Sequence, residues 1–215
     1  MNNIDAYILA GGKSSRMGQP KVNVEFRGVR MLGLVASAIR AALPESCICV
    51  VIANEDQLAE AGAITGFGDM IYDLGEDRGP VGGLHAAVEH SRSEWTFVAA
   101  CDLPMLSPDL ISFLVSQIDD NADVVLPIQP DGVPQPLAAL YRVERVRDHL
   151  LELENVKGNS PSLMAAIDTL QIKRVEFTDY RHIAGSNDLF INVNSPRDLE
   201  NAASLLEAGA RVVAE

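Results

Sequence analysis

The chain has 215 residues, 47% of them hydrophobic and 22% charged, which suits one α/β domain with a sizeable core. Its formal net charge of −13 argues against binding nucleic-acid polymers, because such binding rewards clustered Lys and Arg. No apolar run approaches the roughly 20 residues that a membrane span needs, and no basic signal-peptide region opens the chain, so we expect a cytoplasmic protein with no membrane partner.

Strand-like and helix-like patterns alternate along the chain. Continuous or alternating apolar runs predict strands, and apolar residues three and four apart predict helices. Strands are predicted at residues 6–9, 47–53, 70–72, 95–101, 124–127, 135–141, 172–177 and 190–194, with a strand-like alternation at 22–26. Helices are predicted at residues 29–43, about 56–61, through 84–88, 107–118, 143–154, 161–169 and 195–206.

This alternation implies right-handed crossovers and a mostly parallel sheet with helices on both faces. We therefore predict a Rossmann-like, three-layer α/β sandwich. The chain shows no repeat, linker or low-complexity stretch, so residues 1–215 are predicted to form a single domain. In such open sheets, ligands bind outside the carboxyl ends of the strands.

The three cysteines, Cys47, Cys49 and Cys101, lie in predicted strands. An odd count without framework spacing argues against a disulfide scaffold. No partner residues stand at metal-ligand spacing beside Cys47 and Cys49. We therefore expect buried strand thiols.

The segment that follows the first predicted strand has the composition of a phosphate-binding loop. Gly11 and Gly12 allow a ligand to approach the backbone amides closely, and successive amides in such a loop form an anion-binding concavity. Arg16 and Lys21 add positive charge, the arginine as a fork and the lysine as a point charge. The spacing fits neither the P-loop nor the dinucleotide fingerprint. The alternative is an ordinary glycine-rich turn.

Polar residues also follow the next three parallel strands. Asp102 ends the strongest apolar strand, where a carboxylate is well placed to hold Mg²⁺, an ion that takes few protein ligands and completes its shell with phosphates and water. Asp73 either binds nucleotide or begins a turn. Asn54 either caps the following helix or recognises base or ribose.

These motifs together resemble the molybdenum cofactor guanylyltransferases over nearly the whole chain. The resemblance lies in five segments. They are residues 9–21, reading L-A-G-G-K-S-S-R-M-G-Q-P-K, the sequence C-D-L-P at 101–104, and three further stretches at 79–83, 135–141 and 192–196. The resemblance implies the fold of the nucleotide-diphospho-sugar transferases. It also implies a reaction in which the phosphate of molybdopterin attacks the α-phosphorus of GTP and releases pyrophosphate.

The resemblance further implies a role for particular residues. Lys21, Arg16 and Asp102 would carry catalysis, and Asp102 would hold the Mg²⁺ cofactor. The implied nucleotide-binding residues are Leu9, Ala10, Gly11, Gly12, Lys21, Asn54, Asp73 and Asp102. The implied acceptor-binding residues are Gly82, Gln135, Pro136, Asn192 and Asn194. The implied partners are the small molecules GTP and molybdopterin, with transient contacts to other cofactor-biosynthesis proteins or molybdoenzymes.

The two halves of the loop point to different bases. Gln19-Pro20-Lys21 resembles the related cytidylyltransferases, whereas Gly11 stands where those enzymes usually carry alanine. Because a glycine leaves more room beside the base, we predict GTP over CTP. The alternatives are a molybdopterin cytidylyltransferase, a sugar-phosphate nucleotidyltransferase of the same fold, and a nucleotide-binding regulatory module without turnover.

Overall fold

The computed structural model describes residues 4–10, 23–53, 69–74, 78–154 and 161–212, and the fold is given for these. The strands are β1 (Ile4–Leu9), β2 (Glu25–Phe26), β3 (Val29–Arg30), β4 (Ile48–Ile52), β5 (Met70–Tyr72), β6 (Trp95–Ala100), β7 (Val124–Pro127), β8 (Ala138–Arg142) and β9 (Ile172–Val175). The helices are α1 (Met31–Ala42), α2 (Pro80–His90), α3 (Pro108–Ser116), α4 (Val143–Glu154), α5 (Leu163–Ile167), α6 (Phe177–Tyr180) and α7 (Pro196–Val212). Among the described helices, none is both long and apolar enough to cross a membrane.

Seven strands form one sheet in the order β5-β4-β1-β6-β8-β7-β9. β1 pairs in parallel with β4 and β6, β4 with β5, and β7 with β9. β8 runs antiparallel to both of its neighbours. The prediction of a mostly parallel sheet is therefore confirmed.

Helices cover both faces of this sheet. Alternate residues of each strand point to opposite faces, so neighbouring strand residues pack against different helices. Ile8 of β1 shares one apolar cluster with Leu32 of α1 and Leu110 of α3. Its neighbour Leu9 shares the other cluster with Leu84 of α2, and α4 and α5 contribute to that same side. The predicted three-layer sandwich is thus confirmed. Every residue of β6 is buried, as expected for a central strand covered on both faces.

A small third cluster joins the amino-terminal hairpin to the end of the chain. β2 and β3 form this hairpin, and Phe26 packs with Met31, Val193 and Ala202. Between the two strands, Arg27 and Gly28 have φ angles of 54° and 76°, which is the backbone of a tight hairpin turn. The segment after the glycine-rich loop therefore packs against residues near the predicted acceptor side.

The structure differs from the sequence prediction at several places. Val29 and Arg30 belong to β3 instead of opening the first helix, and α3 ends at Ser116, before Ile118. Phe177 begins α6 instead of ending a strand, because Glu176 and Asp179 cap that short helix reciprocally.

The predicted strand at residues 190–194 is also wrong. Phe190 ends a series of turns, and the following residues have neither helical nor strand structure. Ile191 N–H donates to Asp188 O within a turn, and the amide of Val193 bonds to Asp102 O. Of the cysteines, Cys49 and Cys101 are buried as expected, but Cys47 precedes β4 and is exposed. The predicted helix at 56–61 lies outside the described residues.

Candidate functional site

Four of the predicted nucleotide-binding residues lie at one edge of the sheet. Cys101 N–H donates to Leu9 O at 3.1 Å, so Asp102 lies one strand away from the end of β1. Ala10 N–H donates to Val51 O at 2.8 Å, and Asp73 N–H donates to Ile52 O at 2.9 Å. The carboxyl ends of β5, β4, β1 and β6 are therefore aligned, as the parallel sheet requires. Three strand spacings, roughly 14 Å, separate the ends of β5 and β6.

Asp102 lies at the inner end of this row. It follows the six buried residues of β6 and is itself only 7% exposed. Its backbone carbonyl accepts the N–H of Val193 at 3.0 Å, which brings the 192–194 segment beside it. A carboxylate kept at a strand end despite burial needs compensating positive charge or hydrogen bonds.

Asp73 lies at the outer end of the row, in a different environment. Burial raises the pKa of this carboxyl group above its ordinary value. Its neighbours Tyr72 and Leu74 are 45% and 38% exposed. The region thus combines a hydrogen-bond acceptor with exposed apolar surface, and a nucleobase can bind to both, through its N–H groups and its ring face. Sequence reasoning missed Tyr72 and Leu74, although an aromatic residue beside a strand-end aspartate could have indicated them.

The 135–138 turn lies next to Asp102 from the other side. Ala138 N–H donates to Gln135 O at 3.3 Å, with Pro136 at the first central position that proline favours in such turns. Ala100 N–H donates to Leu137 O at 2.9 Å, only two residues before Asp102. Gln135 is 7% exposed. The structure therefore brings the turn that carries Gln135 and Pro136 close to the end of β6, where Asp102 follows, but as a turn where a strand was predicted.

The 192–194 segment carries the other two predicted acceptor residues. Asn192 is exposed and Asn194 is half-buried. Asn194 N–H donates to Asp198 Oδ2 at 3.0 Å, and this bond helps to hold the pKa of the Asp198 carboxyl below its usual range. The segment is thus fixed by Asp102 O in its middle and by the first turn of α7 at its end.

Gly82 lies on the β5 side of the site. Leu74 N–H donates to Gly82 O at 3.3 Å, and a Cβ on Gly82 would lie 2.6 Å from Leu74 O. Gly79, just before α2, has a φ of 56°, where glycine is favoured. A Cβ on Gly83 would meet Leu9 Cδ1 at 2.9 Å. Because Gly82 and Gly83 have no side chains, α2 can begin in close contact with the ends of β5 and β1.

The remaining predicted site residues lie outside the described part of the chain. They are Gly11, Gly12, Arg16, Lys21 and Asn54, and their roles stay predictions. Within the described residues, no group of three or more His, Cys, Asp or Glu side chains could hold a metal ion. Mg²⁺ usually takes only one or two protein carboxylates and completes its shell with substrate phosphates and water, so Asp102 could serve as its ligand without such a cluster.

Comparison with known proteins finds related sequences. The MobA-like NTP transferase domain matches residues 6–171. A protein of Natronomonas pharaonis described as a probable molybdenum cofactor guanylyltransferase is 30% identical, covering 93% of this chain and 96% of that protein. The molybdenum cofactor guanylyltransferase of Desulfosudis oleivorans is 28% identical, covering 97% and 98%.

Solved structures share the fold. Molybdopterin-guanine dinucleotide biosynthesis protein A from Archaeoglobus fulgidus has a TM-score of 0.76 at 23% identity, covering 95% of this chain and 99% of that one. The 4-diphosphocytidyl-2C-methyl-D-erythritol synthase of Anaerococcus prevotii has a TM-score of 0.68 at 15% identity, covering 96% of each chain. At these identities the likeness concerns the fold alone.

Proposed function

The chain belongs to the MobA-like NTP transferase family, and we propose that it transfers GMP from GTP to the phosphate of molybdopterin, with release of pyrophosphate. The curated relatives named as guanylyltransferases support this substrate pair, since they align over nearly their whole length. The structural observation that carries the proposal is the convergence at Asp102 of the end of β1, the 135–138 turn and the 192–194 segment.

In the proposed reaction, an oxygen of the molybdopterin phosphate attacks the α-phosphorus of GTP. The bond between that phosphorus and the oxygen bridging to the β-phosphate breaks, and its electron pair leaves with pyrophosphate. No protein nucleophile is needed, so the chain contributes positioning and charge stabilisation.

The nucleotide would occupy the β5-β4-β1-β6 edge. Leu9 and Ala10 precede the glycine-rich loop in the sequence, in which Arg16 and Lys21 would balance phosphate charge. At the other end of the row, Asp73 would accept hydrogen bonds from the base. Asn54, which follows the intervening strand in sequence, would contact base or ribose.

The acceptor would occupy the opposite side of Asp102. Gln135 and Asn194 offer amide groups that can both donate to phosphate and bond to the pterin. Asn192 and Pro136 would complete this side. Gly82, which the resemblance assigns to the acceptor, lies instead on the β5 side, where its missing side chain would leave room at the start of α2.

Asp102 fits a Mg²⁺ site by its carboxylate chemistry, its position and its burial. When bound, the ion would neutralise charge on the reacting phosphates. The substrates are thus small molecules, and we propose that the reaction occurs in the cytoplasm, with the product passed on to other cofactor-biosynthesis proteins or molybdoenzymes.

The test is turnover of the purified protein with molybdopterin, Mg²⁺ and each of the four NTPs, following pyrophosphate release and the dinucleotide product by mass spectrometry. GTP should be the best substrate. A wild-type enzyme that used CTP as well as GTP would instead identify the cytidylyl alternative. Nucleotide binding without any turnover would identify a regulatory module.

Asp102→Asn should abolish turnover nearly completely while the protein stays folded, because the ligand charge is lost and the shape is kept. The matched control is Asp123→Asn. Asp123 is half-buried and accepts the N–H of Gln171 at 3.0 Å, but it precedes β7 at the opposite edge of the sheet. Turnover by Asp102→Asn within a few-fold of wild type, with unchanged metal dependence, would refute the assignment of Asp102 as the Mg²⁺ ligand.

A further inference from the structure

Tyr141 is a fully buried residue of β8 whose hydroxyl reaches the acceptor side of the site. Its Oη donates to Pro136 O at 2.5 Å, and its side chain has no exposed surface. Ala139 lies two residues earlier on the same face of the strand and in the same apolar cluster. This small residue leaves room for the tyrosine ring to lean along the strand toward the 135–138 turn.

The phenol is suited to a permanent donor role. Burial raises the pKa of Tyr141 far above its ordinary value, so the hydroxyl is protonated at neutral pH. Pro136 has no backbone N–H, and its carbonyl is therefore its one backbone hydrogen-bonding group. The Tyr141 bond satisfies that carbonyl.

The other anchors of the turn are backbone bonds. Gln135 N–H donates to Pro127 O at 3.0 Å, and Leu137 O accepts from Ala100 N–H at 2.9 Å. These two bonds attach the ends of the turn to β7 and β6. The bond from Tyr141 holds the residue between them, directly after Gln135.

We propose that Tyr141 is a positioning residue for the acceptor: its hydroxyl fixes the Pro136 carbonyl and thereby orients Gln135 beside Asp102. This inference rests on the proposed function and deepens it, because it identifies a buried core residue that holds the acceptor side of the site in place. Tyr141 itself touches neither substrate. Its effect is on how the acceptor binds, and the nucleotide edge does not depend on it.

The test is Tyr141→Phe, which removes one oxygen and keeps the ring. We expect the KM for molybdopterin to rise about fivefold, the scale of one intramolecular hydrogen bond, with the KM for GTP within twofold of wild type. Tyr7→Phe is the matched control. Tyr7 is 2% exposed, and its hydroxyl lies 2.9 Å from Nδ1 of His90, at the far end of α2. Tyr7→Phe should leave the KM values for molybdopterin and GTP unchanged.

A double-mutant cycle with Gln135→Ala tests the route of the effect. If Tyr141 acts by orienting Gln135, then Tyr141→Phe should have little further effect on acceptor affinity in a protein that already carries Gln135→Ala. The effects of two coupled substitutions are not additive. Fully additive effects, or equal rises in the KM for both substrates, would overturn the inference.

Hydrogen exchange gives a readout that is independent of turnover. In Tyr141→Phe, the amides of Gln135 and Ala138 should exchange about fivefold faster as the turn opens locally, the same scale of one hydrogen bond. In Tyr7→Phe they should exchange at the wild-type rate. Unchanged exchange in Tyr141→Phe would refute the positioning role. A wild-type enzyme that does not transfer GMP would refute the proposed function alone, and the exchange rates would still decide whether Tyr141 holds the turn.

Discussion

Gly82→Ala should damage both the stability of the protein and its nucleotide site. The added Cβ would lie 2.6 Å from Leu74 O and 3.2 Å from Arg78 Cβ, whereas ordinary van der Waals contact begins near 3.4 Å. Leu74 O belongs to the backbone and cannot rotate away. The bond from Leu74 N–H to Gly82 O also ties these two segments together, so relieving the clash displaces the residue that follows Asp73.

The magnitude follows from two opposing contributions. Overpacking of this kind costs about 1–3 kcal/mol, and replacing glycine by alanine within a helix returns up to about 1 kcal/mol. With the full return, the net loss in the free energy of unfolding is at most about 2 kcal/mol. Because Asp73 would move, we also expect a higher KM for GTP.

Gly83→Ala is the matched control, one residue along the same helix. Its Cβ would meet Leu9 Cδ1 at 2.9 Å, at the far end of a flexible side chain. Leu9 can change rotamer, so the gain in helix propensity should offset most of the cost and leave stability within about 1 kcal/mol of wild type.

Urea unfolding followed by tryptophan fluorescence measures both variants. Trp95 is the single tryptophan of the chain and is completely buried in β6, so its emission reports on the core. If Gly82→Ala proved as stable as Gly83→Ala, the packing argument at the start of α2 would be refuted.

The remaining predictions concern the loop cations and α7. Lys21→Ala and Arg16→Lys should weaken GTP binding in calorimetry with little change in Tm, and normal binding by both would contradict a phosphate-binding loop. Asp198→Asn should lower the free energy of unfolding at pH 7, because Asn194 N–H and Ser195 hold the pKa of this carboxyl low in the folded state. That contribution exists above the unfolded-state pKa and disappears as the pH falls through the folded-state value. Urea titrations should therefore show the two proteins converging as the pH falls below the ordinary range of an aspartate pKa, and a constant difference across pH would exclude this linkage.

The parallel half of the sheet could be predicted because its strands are covered on both faces. β4 and β6 are buried at every residue, so β4 reads as a continuous apolar run and β6 as one interrupted only by Thr96. A polar residue that ends such a run lies at the carboxyl edge, and this is why Asp102 could be assigned to the site before the fold was known. Asp73 follows β5, a short and partly exposed strand, and could be assigned to the same edge only from the alternation of strands and helices.

The acceptor side was harder to predict because tertiary contacts decide its structure. Residues 190–194 have the alternation of a strand, but Val193 pairs with a single carbonyl, that of Asp102, and not with a neighbouring strand. No local pattern announces that pairing. The proline at position 136 did carry a usable signal, since proline favours the second position of a turn over the interior of a strand.

One reversed strand explains how the two substrate sides meet. In a wholly parallel sheet only carboxyl ends would reach the active edge, and each would lead into a crossover of its own. Because β8 runs antiparallel to β6, pairing Ala99 with Ala138, its amino end reaches this edge and brings the 135–138 turn beside Asp102. The parallel strands β5, β4 and β1 supply the nucleotide side, β8 supplies the acceptor side, and β6 lies between them. Asp102 at the end of β6 is therefore the one described carboxylate placed to serve both substrates, so its substitution should affect both of them, whereas changes in β8 should act on the acceptor.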